Sequence, residues 1–181
     1  MGVGQVKGRA VFLDRDGVVN KIVFREGRPE SPRSLEEFVM NDGIRETAQK
    51  LKEAGFRVIV VSNQPDVARG KITQGILDLM NRRIACEIPV DEIYVCPHDA
   101  PQQCACRKPK PGMFLEATSR WNIDLLSSFM IGDTWKDMEA GKAAGCKTIL
   151  LDTSYNQEVG CDFRVKSLSE AAEIILKTSI I

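Results

Sequence analysis

Val58-Ile59-Val60-Val61 is apolar at every position, and it limits the architecture more than any other stretch of the chain. A strand with one wet face alternates apolar and polar residues. An unbroken run belongs to a strand buried on both faces, as in parallel sheets covered by helices. Shorter runs of the same kind recur at Ala10–Leu13, Ile93–Val95, Phe129–Ile131 and Thr148–Leu151.

Helical patterns fill the intervals. Ile44, Ala48 and Leu51 share one face, and Gly55 follows as a stop. Ile76, Leu77, Met80 and Ile84 form a stripe after Thr73, and a third helix is predicted from about Pro111, with Phe114, Leu115 and Trp121 for packing. A fourth runs from Trp135 to Ala144 and ends at Gly145. A capping box, Ser167-Leu168-Ser169-Glu170, opens the last, ahead of Ala171, Ile174 and Ile175. This alternation predicts an α/β fold, a Rossmann-like parallel sheet with helices on both faces, and 1–181 as one domain.

Charge narrows the partners. The 25 Lys+Arg and 25 Asp+Glu cancel, which argues against a nucleic-acid or anionic-membrane binder. No apolar run approaches the ~20 residues that span a bilayer. Met1 to Arg9 lacks the apolar core of an export signal. A cytoplasmic monomer acting on a small molecule is the expectation.

Asn20–Arg33 and Cys96–Pro111 break the rhythm with prolines and charges. Both follow strands directly, so both are expected at the carboxyl edge of the sheet, where open α/β folds bind ligands. The first strand exits into Asp14-Arg15-Asp16-Gly17, and two acids at i and i+2 in extended chain point the same way. Such a pair can hold a hard cation while one carboxylate attacks and the other moves a proton. Taken alone, an Asp-rich turn that merely ends a strand fits equally well. The fourth strand exits at Gly132-Asp133, which could complete a Mg²⁺ site, and Asp137 is either a helix cap or a functional acid. The second exits into Ser62-Asn63-Gln64, a phosphate cradle when set beside the acids, and Arg107-Lys108-Pro109-Lys110 supplies cations.

Of six cysteines, Cys86, Cys146 and Cys161 are scattered. Cys96, Cys104 and Cys106 cluster around His98, the one histidine in the chain. The spacing C-x-H-x₅-C-x-C offers three thiolates and an imidazole, a closed tetrahedral Zn²⁺ set and hence a structural one. A redox pair at Cys104/Cys106, or unrelated thiols, are the competing readings. A zinc-stiffened loop would hold Arg107 and Lys108, which follow the last ligand, against a phosphate.

In these motifs the chain resembles the haloacid dehalogenase superfamily of phosphotransferases: Asp14-Arg15-Asp16-Gly17-Val18, Ser62, Lys108, and Gly132-Asp133 with Asp137, in order on the strand exits. The resemblance implies a capless, Mg²⁺-dependent phosphomonoesterase. Asp14 would be the nucleophile and Asp16 the general acid and base. Asp14, the Asp16 carbonyl and Asp133 would hold Mg²⁺, with Ser62 and Lys108 stabilising the phosphoryl group. Asn63, Gln64 and Arg107 are expected to bind substrate. The Cys-His knuckle, together with Val67-Ala68-Arg69-Gly70-Lys71, is similar to the branch of bacterial heptose bisphosphate phosphatases, and this implies removal of the 7-phosphate of a heptose 1,7-bisphosphate. The short gap between His98 and Cys104 resembles the histidinol-phosphate phosphatases instead. The chain departs from the heptose pattern in its flap and at Thr134, where a Lys is common. A non-catalytic zinc-stabilised binding protein on the same fold is the alternative of another class.

Overall fold

The computed structural model describes residues 7–179, so most of the polar amino-terminal stretch read above for an export signal lies outside it. In chain order the strands are β1 Arg9–Leu13, β2 Val23–Arg25, β3 Arg28–Glu30, β4 Phe56–Asn63, β5 Glu92–Cys96, β6 Phe129–Gly132, β7 Lys147–Leu151 and β8 Phe163–Val165. The helices are α1 Ile44–Glu53, α2 Pro65–Ala68, α3 Gln74–Glu87, α4 Gly112–Trp121, α5 Trp135–Ala144 and α6 Leu168–Thr178.

Six strands form one parallel sheet in the order β5-β4-β1-β6-β7-β8. The chain builds outward from β1 through β4 and β5, then returns to add β6, β7 and β8 on the other side. The order therefore reverses beside β1, and the crevice at that reversal is where such sheets take ligands. Alternate residues of the central strands enter two separate cores. Val11, Leu13, Val58 and Val60 pack with residues of α1, α3 and α6. Ala10, Phe12, Ile59 and Val61 pack with residues of α4 and α5. This two-sided burial is what the unbroken apolar runs require.

The helix signals read from sequence operate as expected. Thr73 Oγ1 accepts from Ile76 N at 3.3 Å to open α3. Ser167 Oγ accepts from Glu170 N at 3.2 Å to open α6, while the Glu170 carboxylate takes Lys166 N. Elements absent from the sequence reading are the one-turn α2, the short edge strand β8, and the β2–β3 hairpin inside the segment read as a loop or flap. Its two-residue turn, Glu26-Gly27, has positive φ at both positions, as the tight hairpin turn requires. Side chains moor this flap. Arg25 pairs with Glu37 and donates to Ser31 O, and Arg33 Nε donates to Asp66 at 2.9 Å. No helix among the described residues is long and apolar enough to cross a membrane.

Candidate active site

A cleft of about 310 Å³ opens over the carboxyl ends of β1 and β6. Its floor holds Asp14 from the exit of β1, Asp133 and Asp137 from the exit of β6 and the first turn of α5, and Lys108 from the loop after β5. Gly17 makes the crowding possible: its φ is +97°, and a Cβ there would lie 2.1 Å from Asp133 Oδ2.

Lys108 is 2% exposed and donates to Asp14 Oδ1 at 2.6 Å, Val61 O at 2.7 Å and Asp137 Oδ1 at 2.6 Å. Burial would neutralise this ammonium, but the Asp137 and Asp14 charges outweigh it and raise the pKa above the usual lysine value. Asp137 takes the capping role open to it in the sequence, its Oδ2 accepting from Thr134 N and Oγ1 to cap α5, and it also pairs with Lys108. Burial and then the Asp137 charge push Asp14 up to about 7, against the pull of Lys108. Asp133 lies well above the carboxylate range, through burial and then the charges of Asp14 and Asp137.

Asp16 is the opposite case. Burial alone would raise it, but Arg15, Asn20, Gln64 and Ser31 all donate to its carboxylate and hold the pKa below the usual value. Arg15 is itself fully buried beneath it. In this arrangement Asp16 stands ready as a base. Two carboxylates pushed in opposite directions can take different roles in one reaction.

Two expected substrate ligands sit differently from the sequence reading. Gln64 is fully buried, and its amide donates to Asp16 Oδ2 at 2.6 Å and Ser62 Oγ at 2.8 Å, so it braces the Asp16 carboxylate. Asn63 reaches the cleft wall, but both ends of its amide hold the Lys108 backbone, at 2.9 and 3.0 Å. Neither placement has a local signature, because each depends on a partner 45 or more residues away. Ser62 is buried beside Gln64, and its hydroxyl proton has no acceptor among the described residues.

Arg107 lines the cleft as expected, tied to the zinc-type loop by a bond from Nη1 to His98 O at 3.0 Å. Lys136 lines the same cleft, and nothing in the sequence marks it. Burial and the nearby Arg107 charge lower its pKa below the usual lysine value. Among the described residues neither cation has a carboxylate partner, whereas Arg33 and Arg69 on the same walls are paired with acids. Tyr155 and Asn156, after β7, are further site residues the sequence reading passed over. The Tyr155 hydroxyl donates to Asp133 Oδ2, and Asn156 Nδ2 donates to Asp133 O at 2.9 Å.

Two donor sets fit metal ions. Asp14, Asp133 and Asp137 bring carboxylate oxygens within 4.8 Å of one another, a hard-oxygen set suited to Mg²⁺. Asp133 Oδ1 is buried with no hydrogen-bond partner, a cost that a bound cation would remove. The Asp16 carboxylate points away from this group toward Arg15, which leaves only its main chain for a metal. In the second set, Cys96 Sγ lies 3.6 Å from His98 Nδ1 and 3.5 Å from Cys104 Sγ. Cys106 Sγ lies 3.4 Å from His98 Nδ1 and 3.5 Å from Cys104 Sγ. The edges of a tetrahedron built from Zn–S and Zn–N bond lengths are about 3.5–3.8 Å, so the four ligands stand close to zinc geometry.

A family model of haloacid dehalogenase-like hydrolases matches residues 8–145. The chain belongs to this family. Among curated relatives, D-glycero-beta-D-manno-heptose-1,7-bisphosphate 7-phosphatase of Escherichia coli K12 is 35% identical over 185 residues, covering 93% of this chain and 94% of the relative. The Pasteurella multocida enzyme of the same name is 39% identical over 157 residues, covering 80% and 82%. The crystal structure of D,D-heptose 1,7-bisphosphate phosphatase from B. bronchiseptica, complexed with magnesium and phosphate, superposes with a TM-score of 0.80 at 30% identity. That match covers 94% of this chain and 99% of the other. This haloacid dehalogenase-like hydrolase carries a two-stranded flap, β2–β3, between β1 and α1 and no large cap among the described residues.

Proposed function

We propose that this hydrolase is a phosphomonoesterase that removes the 7-phosphate of D-glycero-D-manno-heptose 1,7-bisphosphate, in the cytoplasm and as a monomer. The full-length similarity to relatives of that name supports the reaction. The observation that carries the bisphosphate reading is the pair Arg107 and Lys136, two cations without carboxylate partners facing the same cleft as Asp14. A second phosphate dianion suits that wall. Histidinol phosphate would bring an ammonium there, which both cations would repel.

In this reading an Asp14 oxygen attacks phosphorus, forming the acyl phosphate as the bond to the sugar oxygen breaks. Asp16 gives the leaving oxygen its proton, then takes one from the water that hydrolyses the acyl phosphate. For the first of these steps Asp16 must be protonated, so Arg15 has to release it. Lys108 and the Ser62 hydroxyl balance charge on the transferring oxygens. Asp14, Asp133 and the Asp16 carbonyl would hold Mg²⁺, which when bound neutralises phosphate charge. Cys96, His98, Cys104 and Cys106 would hold a structural Zn²⁺ that fixes the loop carrying Arg107. The deciding experiment measures phosphate release from heptose 1,7-bisphosphate and histidinol phosphate, side by side, with Mg²⁺. Faster release from histidinol phosphate would replace the proposed substrate, and no release from any ester would leave a binding module.

A further inference from the structure

Asp133 is gripped at three points. Asn156 donates to its carbonyl, the Tyr155 hydroxyl donates to Oδ2, and Gly17 approaches Oδ2 so closely that a Cβ there would lie 2.1 Å from it. Asn156 Nδ2 also donates to Leu151 O at 2.8 Å, which anchors the grip to the end of β7. What remains is Oδ1, buried, without a partner, and within 4.8 Å of the oxygens of Asp14 and Asp137. A carboxylate held this way can offer a cation one oxygen in one orientation. The Tyr155 ring is seated in turn by Phe24 of β2, edge-on with centroids 6.4 Å apart. Phe24 is 58% exposed, a large apolar side chain at the flap that has Tyr155 as its aromatic neighbour.

We propose that Tyr155 is a positioning residue for the metal: its hydroxyl occupies Asp133 Oδ2 so that Oδ1 alone faces the cation, and Phe24 holds the Tyr155 ring in register with the flap. Outer partners of this kind orient metal-binding carboxylates, and their loss typically weakens metal affinity or activity by about ten- to a hundredfold. The inference rests on the magnesium position proposed above, and its test uses the metal alone. Calorimetric titration of the full chain with Mg²⁺, without substrate, should show affinity reduced about ten- to a hundredfold in Tyr155→Phe. That variant keeps the ring and its contact with Phe24, and circular dichroism together with zinc content checks that it is folded. In activity assays the Mg²⁺ concentration for half-activation should rise by the same factor, with kcat at saturating Mg²⁺ within about twofold of wild type. Phe24→Ala should weaken Mg²⁺ binding severalfold through the same tyrosine. Unchanged Mg²⁺ affinity in Tyr155→Phe, with wild type binding normally, overturns the role of Tyr155. Unchanged affinity in Phe24→Ala overturns the link to the flap. A wild-type protein that binds no Mg²⁺ overturns the magnesium position and this role with it.

Discussion

Replacing Lys108 by Met removes the one cation on the cleft floor while keeping a side chain of similar length. The ammonium has three acceptors within 2.7 Å, two of them carboxylates on Asp14 and Asp137, and almost no solvent contact. Removing one partner of a buried ion pair costs about 3–5 kcal/mol, because the charge left behind stays desolvated. Part of that cost is relieved by protonation, which makes the penalty depend on pH in a calculable way. With Lys108 present, Asp14 titrates near 7. Without it Asp14 titrates higher, since the lysine is what pulls it down. Both folded proteins take up a proton at Asp14 that the unfolded chain lacks above its own pKa, near 4. Wild type gains stability from this group only as pH falls below about 7, whereas the variant gains it already between pH 8 and 7. The difference between the two should therefore narrow as pH falls, by at most about 1 kcal/mol from pH 8 to pH 7 and by a few tenths more below it. Urea unfolding of both proteins, without Mg²⁺ and with zinc retained, gives the comparison directly. A loss under about 1 kcal/mol at pH 8, or a gap that does not narrow toward pH 7, would refute the assignment of Lys108 as counter-charge to the acids.

Four further outcomes follow from the same geometry. Asp14→Asn should abolish turnover while the Mg²⁺-free protein melts higher at pH 8, since a carboxylate that resists ionisation is gone; near-normal rates, with deamidation excluded by mass, would sink the nucleophile assignment. Mg²⁺ must displace the protons that the raised Asp14 and Asp133 hold, so its apparent affinity should fall at least tenfold per pH unit well below 7, as followed by calorimetry; a flat profile from pH 5 to 8 would contradict the raised acids. Cys104→Ser should reduce zinc to well below one per chain by elemental analysis, and full zinc retention would remove Cys104 from the ligand set. Arg107→Ala should lower kcat/KM on heptose 1,7-bisphosphate by about 1.5–3 kcal/mol, roughly ten- to over a hundredfold, and leave a small monophosphate ester nearly unaffected. Equal losses on both substrates would show that Arg107 reads only the reacting phosphoryl group.

How much of this was legible in the chain depended on whether a signal was local. Asp14 and Asp133 stand at abrupt exits from apolar runs, so strand pattern and acid chemistry coincide within a few residues. The Cys-His set lies within eleven residues and needs no knowledge of the fold. β8 was missed because Arg164 interrupts a three-residue edge strand, too short for a period to register. Gln64 and Asn63 were assigned to substrate because a polar strand exit beside acids resembles a cradle. The contacts they make in the structure, with Asp16 and the Lys108 backbone, are set by tertiary pairing of β1, β4 and the loop after β5. Tyr155 and Lys136 carried no local mark at all. One lies in an irregular loop, and the other reads as an ordinary helix surface lysine until the fold brings it and Arg107 to one cleft.

β1 sits at the middle of the sheet, and Ala10 to Leu13 have no exposed surface because each face of the strand feeds a different core. Time separates this strand from the segments around it. Opening β1 would breach both cores at once, so its amides should exchange with solvent hydrogen only when the whole molecule unfolds. The β2–β3 hairpin shares no ladder with the sheet and is moored by side chains, so it can open and reclose many times within one lifetime of the folded state. Asp14, the proposed nucleophile, is thus welded to the slowest part of the protein, and the entrance to it hangs on one of the fastest.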